Sequence, residues 1–461
     1  MPREPKIVVI GAGSASFGLE TLAGMMNQES LKGKATLCLV DINEENLRAV
    51  TAFAKLVNKE WKSNIEITTT TDRAKALPDA DFVVLSVAVD REETWIKDHE
   101  LAKKYGIYHY AENGGPGSFG HTARGLKFIM PILENMHDLA PDAWLLNYTN
   151  PVPRIGYAAQ HAGIKHVGLC HQIWHGYAIV ARYLARDLGI TDPELLTCKF
   201  KWNDETLSLI HQLAINAYVE YEIKAAGLNH FIWLMDVRRR DNWEDMYPMI
   251  KKEAAGFNPE FEPLTQHMFR IFGHLPLPGD THLTEYVPYT VTKQNWKKYS
   301  IQLYDFQWAK EQREKMWTRI RETIAGTREL DLQTNPSERA DSIIAEMYTN
   351  QNVYEQSVNI TNNGSISNLP DDAIVEVPAL VSGSGVSGMK VGALPEAIAA
   401  LCRREISIAK LMTKASIEGD RVVAVQAFAL DPMVNDLDKA EKMVDEYLTV
   451  HRKYLPQFFG K

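Results

Sequence analysis

Lys6-Ile7-Val8-Val9-Ile10-Gly11-Ala12-Gly13-Ser14 is a short apolar run that stops on a glycine turn. Five apolar-patterned residues without alternation fit a parallel strand buried on both faces. Gly11 and Gly13 allow a sharp turn into a helix predicted from about Phe17 to Met26. In a Gly-x-Gly-x-x-Gly turn the backbone approaches a pyrophosphate, and the helix N-terminus that follows meets its charge. The third glycine position holds Ser16 here, with Gly18 nearby, so the turn alone does not decide the matter. A second strand, Thr36-Leu37-Cys38-Leu39-Val40, ends in Asp41. A carboxylate at a strand end, roughly 20 residues beyond such a turn, is the group that bonds a ribose 2′-hydroxyl. It would also repel a 2′-phosphate, which favours NAD over NADP. The expected cofactor-binding set is Gly11, Gly13, Ser14 and Phe17 along the turn, Asp41, and Ser86 at the end of a later strand.

The same alternation continues outward. A helix predicted over Glu44 to Lys62 leads to strands at Ile65 to Thr68 and Phe82 to Val87, and further strands follow at Ala143 to Asn147 and His166 to Cys170. Such a βαβ series with right-handed crossovers predicts an α/β fold, a Rossmann-like doubly wound sheet whose ligands bind at the carboxyl ends of the strands. The second half opens on a strand-like Val219 to Ile223 and closes on helices predicted at Glu396 to Ser416 and Asp438 to His451. Residues 1–195 are therefore expected to form the NAD-binding domain. Residues 196–461 are expected to form a mixed α+β domain for substrate, metal and oligomerisation.

Composition narrows the partners. The chain has 461 residues, 45% of them hydrophobic and 24% charged, with a formal net charge of −9. No apolar run approaches the roughly 18 residues of a membrane span, so no membrane partner is expected. The acidic balance without a basic block argues against nucleic acid and for a small-molecule ligand. The first residues run straight into the first strand without a secretory signal, and four scattered cysteines (Cys38, Cys170, Cys198, Cys402) suit a reducing compartment. A cytoplasmic location is expected.

Several polar clusters sit where ligands bind. Cys170-His171 ends a predicted strand, and Asn229-His230 lies on a turn after another apolar segment. A thiolate and an imidazole suit a divalent transition metal, although a lone buried cysteine is usually an inert small hydrophobe, and His171 or His175 can be a satisfied structural group. Asn150 precedes Pro151 and is held extended, so its amide can face a polar ligand or merely form a turn. The glycine-rich Asn113 to Gly120 enters a helix and is either a close approach to ligand or a plain loop. The titratable stretch Gly279 to Tyr289, taken alone, reads as a surface loop.

In order along the chain, Val9 to Ser14, Asn147 to Pro151, Gly168 to His171, Gly227 to Phe231, His282 to Pro288, and the C-terminal Asn368-Leu369-Pro370, Gly392 to Pro395 and Glu418 to Asp420 resemble the signature blocks of glycoside hydrolase family 4. The resemblance implies a glycosidase that uses NAD and Mn²⁺ or another divalent metal in place of two carboxylates. It implies hydride removal from sugar C3, deprotonation at C2, elimination of the aglycone, addition of water and return of the hydride. Position by position it implies Cys170 and His230 as metal ligands and Tyr286 as the C2 base, with Tyr289 one turn away as the alternative. Asn150 would touch the sugar, and His171 would be a leaving-group acid or a substrate contact. Histidine rather than aspartate after the metal cysteine favours unphosphorylated glycosides or uronides. The Gln172-Ile173-Trp174-His175 stretch departs from the branches of the family. A homo-oligomer, dimer or tetramer, is expected. The alternative activity is a metal-assisted, NAD-dependent sugar or hydroxy-acid dehydrogenase.

Overall fold

A computed structural model describes residues 4–14, 18–88, 90–197, 200–254, 256, 261–331 and 339–460. Six strands, β1 (Lys6–Ile10), β2 (Thr36–Val40), β3 (Glu66–Thr70), β4 (Phe82–Leu85), β5 (Trp144–Asn147) and β6 (Lys165–Gly168), pair in parallel in the order β3-β2-β1-β4-β5-β6. This is the doubly wound order of a dinucleotide-binding sheet. The apolar run of β1 has its explanation in the two cores. Ile7 and Val9 join one buried cluster together with Leu37 and Leu39, and Val8 and Ile10 join another with Cys38 and Val40. Both faces of the strand are therefore covered.

The other five strands are β7 (Tyr221–Leu228), β8 (Phe231–Arg239), β9 (Val353–Thr361), β10 (Ile374–Ser382) and β11 (Gly385–Gly388). They extend the same sheet in the order β6-β9-β10-β7-β8, with β11 on β10, and all their pairings are antiparallel. The junctions β6–β9 and β10–β7 each rest on a single matched pair, Gly168 with Asn359 and Glu376 with Gly227. One apolar cluster runs from Ile7 and Val9 through Val167 to Val375 and Val377. The boundary expected between residues 195 and 196 lies inside the short helix Pro193–Thr197, and the sheet joins the parts on either side of it.

The fold is thus the expected α/β arrangement with a mixed second half. Local limits differ. The strand expected at Val219 begins at Tyr221, because the helix Asp204–Glu220, capped by the Asn203 side chain on the Thr206 N–H at 2.8 Å, runs to Glu220. Phe17, Ser16 and Cys198 lie outside the described residues. Cys38 and Cys402 are buried and Cys170 is half-buried. Among the described residues no helix is long and apolar enough to cross a membrane.

Candidate active site

The site is assembled at the carboxyl edge of the parallel strands. Gly11 has φ +89, and a Cβ there would fall 1.9 Å from the Ser86 carbonyl oxygen, so only glycine fits this turn. The Gly11 and Ala12 N–H groups donate to Val40 O at 2.9 and 3.1 Å, which ties the turn to the end of β2. Asp41 then accepts the Gly13 N–H on Oδ2 and the Asn43 N–H on Oδ1, both at 2.8 Å. Its carboxylate is half-buried and fixed beside the turn. A close backbone approach next to an oriented carboxylate fits the pyrophosphate and ribose of a dinucleotide. Ser14 and Ser86 are half-buried on the rim of this turn, their N–H groups donating to Gly11 O at 3.2 Å and Ile10 O at 3.0 Å.

Two strands along, Asn147 ends β5 and spends its amide on Thr149, accepting that N–H and donating to that carbonyl, each at 3.0 Å. Thr149 Oγ1 in turn accepts the Val87 N–H at 3.0 Å. Asn150 is half-buried and has no partner for its amide among the described residues.

Cys170, just past β6, and His230, on the β7–β8 turn, come together across sixty residues of sequence: Sγ and Nε2 are 3.3 Å apart. Two ligands at about 2.0–2.3 Å on one ion stand at this kind of separation. Burial pushes the Cys170 thiol up, but the His230 imidazole outweighs it and holds the thiol below its ordinary value. Burial likewise pulls the imidazole down, while Cys170 and Glu285 raise it well above its usual range. The pair therefore favours a thiolate, the form that binds metal. On the far side of the ring, Nδ1 lies 2.7 Å from the Asn113 amide nitrogen, and Asn113 Oδ1 is buried with no donor. Rotating that amide by half a turn gives Oδ1 the Nδ1–H and keeps Nε2 as the nitrogen toward Cys170. These residues fit a divalent transition metal.

Glu285 is the group that holds this arrangement. Its Oε1 accepts the N–H groups of Glu112, Asn113 and Gly114 at 2.8, 2.5 and 3.1 Å. Its Oε2 lies 3.2 Å from His282 Nδ1 and 3.9 Å from His230 Nδ1. The rings of His282 and His230 are 4.1 Å apart, and one ligand atom from each of His230, His282 and Glu285 falls within 4.8 Å of the others. Burial alone would raise the Glu285 carboxyl; the two histidines bring it far below the carboxylate range. It is an anion in a closed nest of donors.

Residues 6–186 match the family described as family 4 glycosyl hydrolase, and residues 225–434 match its C-terminal domain. The chain belongs to glycosyl hydrolase family 4. This family 4 hydrolase is 29% identical to an α-glucosidase of Erwinia rhapontici over 98% of each chain. Among solved structures it is similar to the putative glucosidase lplD of Bacillus subtilis, with TM-score 0.82 at 24% identity over 97% of this chain and 100% of that one. It is also similar to a 6-phospho-α-glucosidase from gut microorganisms solved in complex with NAD and Mn²⁺, with TM-score 0.78 at 22% identity over 99% and 100% of the two chains.

Within the family 4 hydrolase the sequence-derived residues are distributed unevenly. Cys170 and His230 meet, and His171 stands exposed beside Cys170 as the N-cap of the helix Gln172–Tyr183. Tyr286 is buried; its hydroxyl donates to Asn229 O at 2.9 Å, and its ring stacks on Phe231 at 4.9 Å. Burial pushes its phenol well above the ordinary value. Tyr289 is 43% exposed. The stretch Gly279 to Tyr289, read in isolation as a surface loop, instead buries Asp280, Glu285 and Tyr286. Sequence reading missed Glu285, and named Asn113 only as the start of a glycine-rich segment. The one trace of Glu285 is its i, i+3 spacing from His282, which aligns both on one side of a helical turn.

Proposed function

We propose that this family 4 hydrolase cleaves O-glycosidic bonds of unphosphorylated glycosides or uronides, with NAD and a divalent metal such as Mn²⁺ as cofactors. The observation that carries the reading is the Cys170–His230 pair, 3.3 Å apart at the sheet edge where the Gly11 turn and Asp41 also lie. When bound, NAD supplies a hydride acceptor and donor for sugar C3, and the metal supplies positive charge for the oxygens at C2 and C3.

The protein's own residues do the rest. Asp41 fixes the ribose of the dinucleotide, and the open turn at Gly11 lets the backbone reach its pyrophosphate. Asn150 and His171 contact the sugar from the ends of β5 and β6. Tyr286 takes the C2 proton. Its phenol borders a cavity of about 20 Å³ that Asn113, Arg154, Asn229 and Glu405 also line. Burial opposes the phenolate there, and Arg154 is the cation that favours it.

A panel of nitrophenyl α- and β-glycosides and uronides tests this, with cofactor-stripped, chelator-treated protein assayed before and after NAD and Mn²⁺ are restored. Release of nitrophenol only when both are present, with no net NADH, is the expected result. Full activity without NAD refutes the reading. Net accumulation of NADH makes the protein a dehydrogenase.

A further inference from the structure

His175 lies one helical turn beyond His171, on the same side of the helix Gln172–Tyr183. Its side chain is 21% exposed, whereas Gln172, Ile173, Trp174 and Gly176 around it are buried. Nε2 stands 3.6 Å from Glu262 Oε1. The ring has room because residue 279 is glycine, with φ +76; a Cβ there would lie 2.5 Å from Nε2. Nδ1 has no partner among the described residues. The imidazole is thus braced on one nitrogen and open on the other.

The brace is built. Glu262 is the N-cap of the helix Pro263–Phe272, buried, with φ +44 in the left-handed region that a non-glycine residue occupies only when its surroundings hold it there. Its Oε2 accepts the Asp280 N–H at 2.5 Å. Burial raises this carboxyl, and the His175 imidazole and the Asp280 N–H outweigh that and hold it below the usual range. Asp280 itself accepts the Leu264 and Thr265 N–H groups at 2.8 and 2.7 Å. The titratable groups that act on this corner are Glu262, Asp280 and the Tyr183 phenol, which feels both carboxylates.

The corner belongs to the cleft. Gly279, against His175, begins the short helix that carries His282, and the His282 ring is 4.1 Å from His230. Along its own helix, His175 follows Cys170 and His171 within the first turn and a half. Phe200 stands edge-on to the imidazole at 6.2 Å.

We propose that His175, oriented by Glu262, is the acid that protonates the leaving oxygen of the glycoside. The assignment rests on the glycosidase reading above. As the C2–H electrons form the C1=C2 bond, the C1–O bond breaks, and the departing oxygen takes the proton from Nδ1. Water then adds to C1 and returns a proton to Nδ1, while C2 regains one from the base, so the imidazolium is restored each turnover. Glu262 is the positioning residue: its carboxylate stands on Nε2 and leaves Nδ1 as the nitrogen for the substrate.

The test is the dependence on leaving group in His175→Gln, with NAD and Mn²⁺ bound and the melting temperature followed as a check on folding. A dinitrophenolate leaves without help, whereas a methyl or sugar alkoxide needs a proton. The ratio of kcat/KM for the dinitrophenyl glycoside over the methyl glycoside is expected to rise about 10²-fold or more, the usual contribution of a positioned proton donor. Glu262→Gln should raise the same ratio by less. An equal fall for both substrates in His175→Gln overturns the assignment, since a merely structural role does not discriminate between leaving groups. If His175→Gln melts early, an unchanged ratio in Glu262→Gln overturns it instead. A wild type that hydrolyses neither substrate overturns the glycosidase reading and this assignment with it.

Discussion

Replacing Glu285 by glutamine should loosen the proposed metal pair, Cys170 and His230, without removing either side chain. Oε1 of Glu285 accepts three backbone N–H groups, and the side chain is buried. A hydrogen bond to a charged acceptor contributes about 1 kcal/mol more than one to a neutral acceptor, so neutralising this carboxylate costs about 3 kcal/mol. For a chain of 461 residues, an unfolding entropy of about 2 cal/mol/K per residue turns this into a fall in Tm of about 3 °C. The second effect is on the ion. Oε2 orients His282 and His230, and removing such an outer partner of a metal-ligating histidine typically weakens metal binding 10–100-fold. Calorimetric titration of chelator-treated protein with Mn²⁺ reads the affinity, and differential scanning reads the Tm. The wild type has a further signature: the carboxyl is held below its unfolded value of 4.5. Its contribution is therefore complete above that pH and is lost as the pH falls through the lower folded range. Glu285→Gln should lack this acid-side loss. A variant with unchanged Mn²⁺ affinity and unchanged Tm refutes the role assigned to Glu285.

Asp41→Ala should raise the NAD concentration needed for half-maximal activity and narrow the preference over NADP, because one ribose contact and one repulsive charge are lost together; unchanged NAD titrations would place the ribose elsewhere. Cys170→Ser should abolish metal-dependent turnover, and added Mn²⁺ should rescue chelator-treated wild type but not the variant; normal turnover in chelator would show that the pair holds no ion. Hydrolysis in D₂O should place deuterium at C2 of the released sugar, and Tyr286→Phe should lower the rate by about 10² to 10⁴. Product without deuterium at C2 would rule out proton abstraction there.

The parts of this protein legible in sequence are those whose signal is local. A five-residue apolar strand, a glycine turn and an aspartate at the next strand end occupy one βαβ unit, and the first half folds as the alternation predicts. The second half is harder because its pairings are distant: β10 lies between β9 and β7, and no periodicity announces that. The same holds at the site. His230 is positioned by a hairpin turn where its φ is +58, and only the fold carries it to Cys170. The stretch from Gly279 to Tyr289 misled because crowded polar residues look solvated, and here they face inward to satisfy backbone N–H groups of Glu112 to Gly114 and of Leu264 and Thr265. Burial of a carboxylate is a property of its partners, and those partners lie more than a hundred residues away in the case of Glu285.

The two single-pair junctions in the sheet would give an ion at the proposed Cys170–His230 site a second task. Cys170 follows β6, His230 follows β7, and between those strands stand β9 and β10, joined outward by one matched pair on each side. An ion shared by the two side chains is a clamp across that seam, so its binding free energy also resists separation of the halves. Loading the metal and closing the seam are then one linked equilibrium. Any loosening between β6 and β7 multiplies the affinity for the ion by the fraction of molecules in which the seam is closed, and free ion at concentration c raises the protection of those backbone pairs from exchange and from proteases by a factor of about 1 + c/Kd.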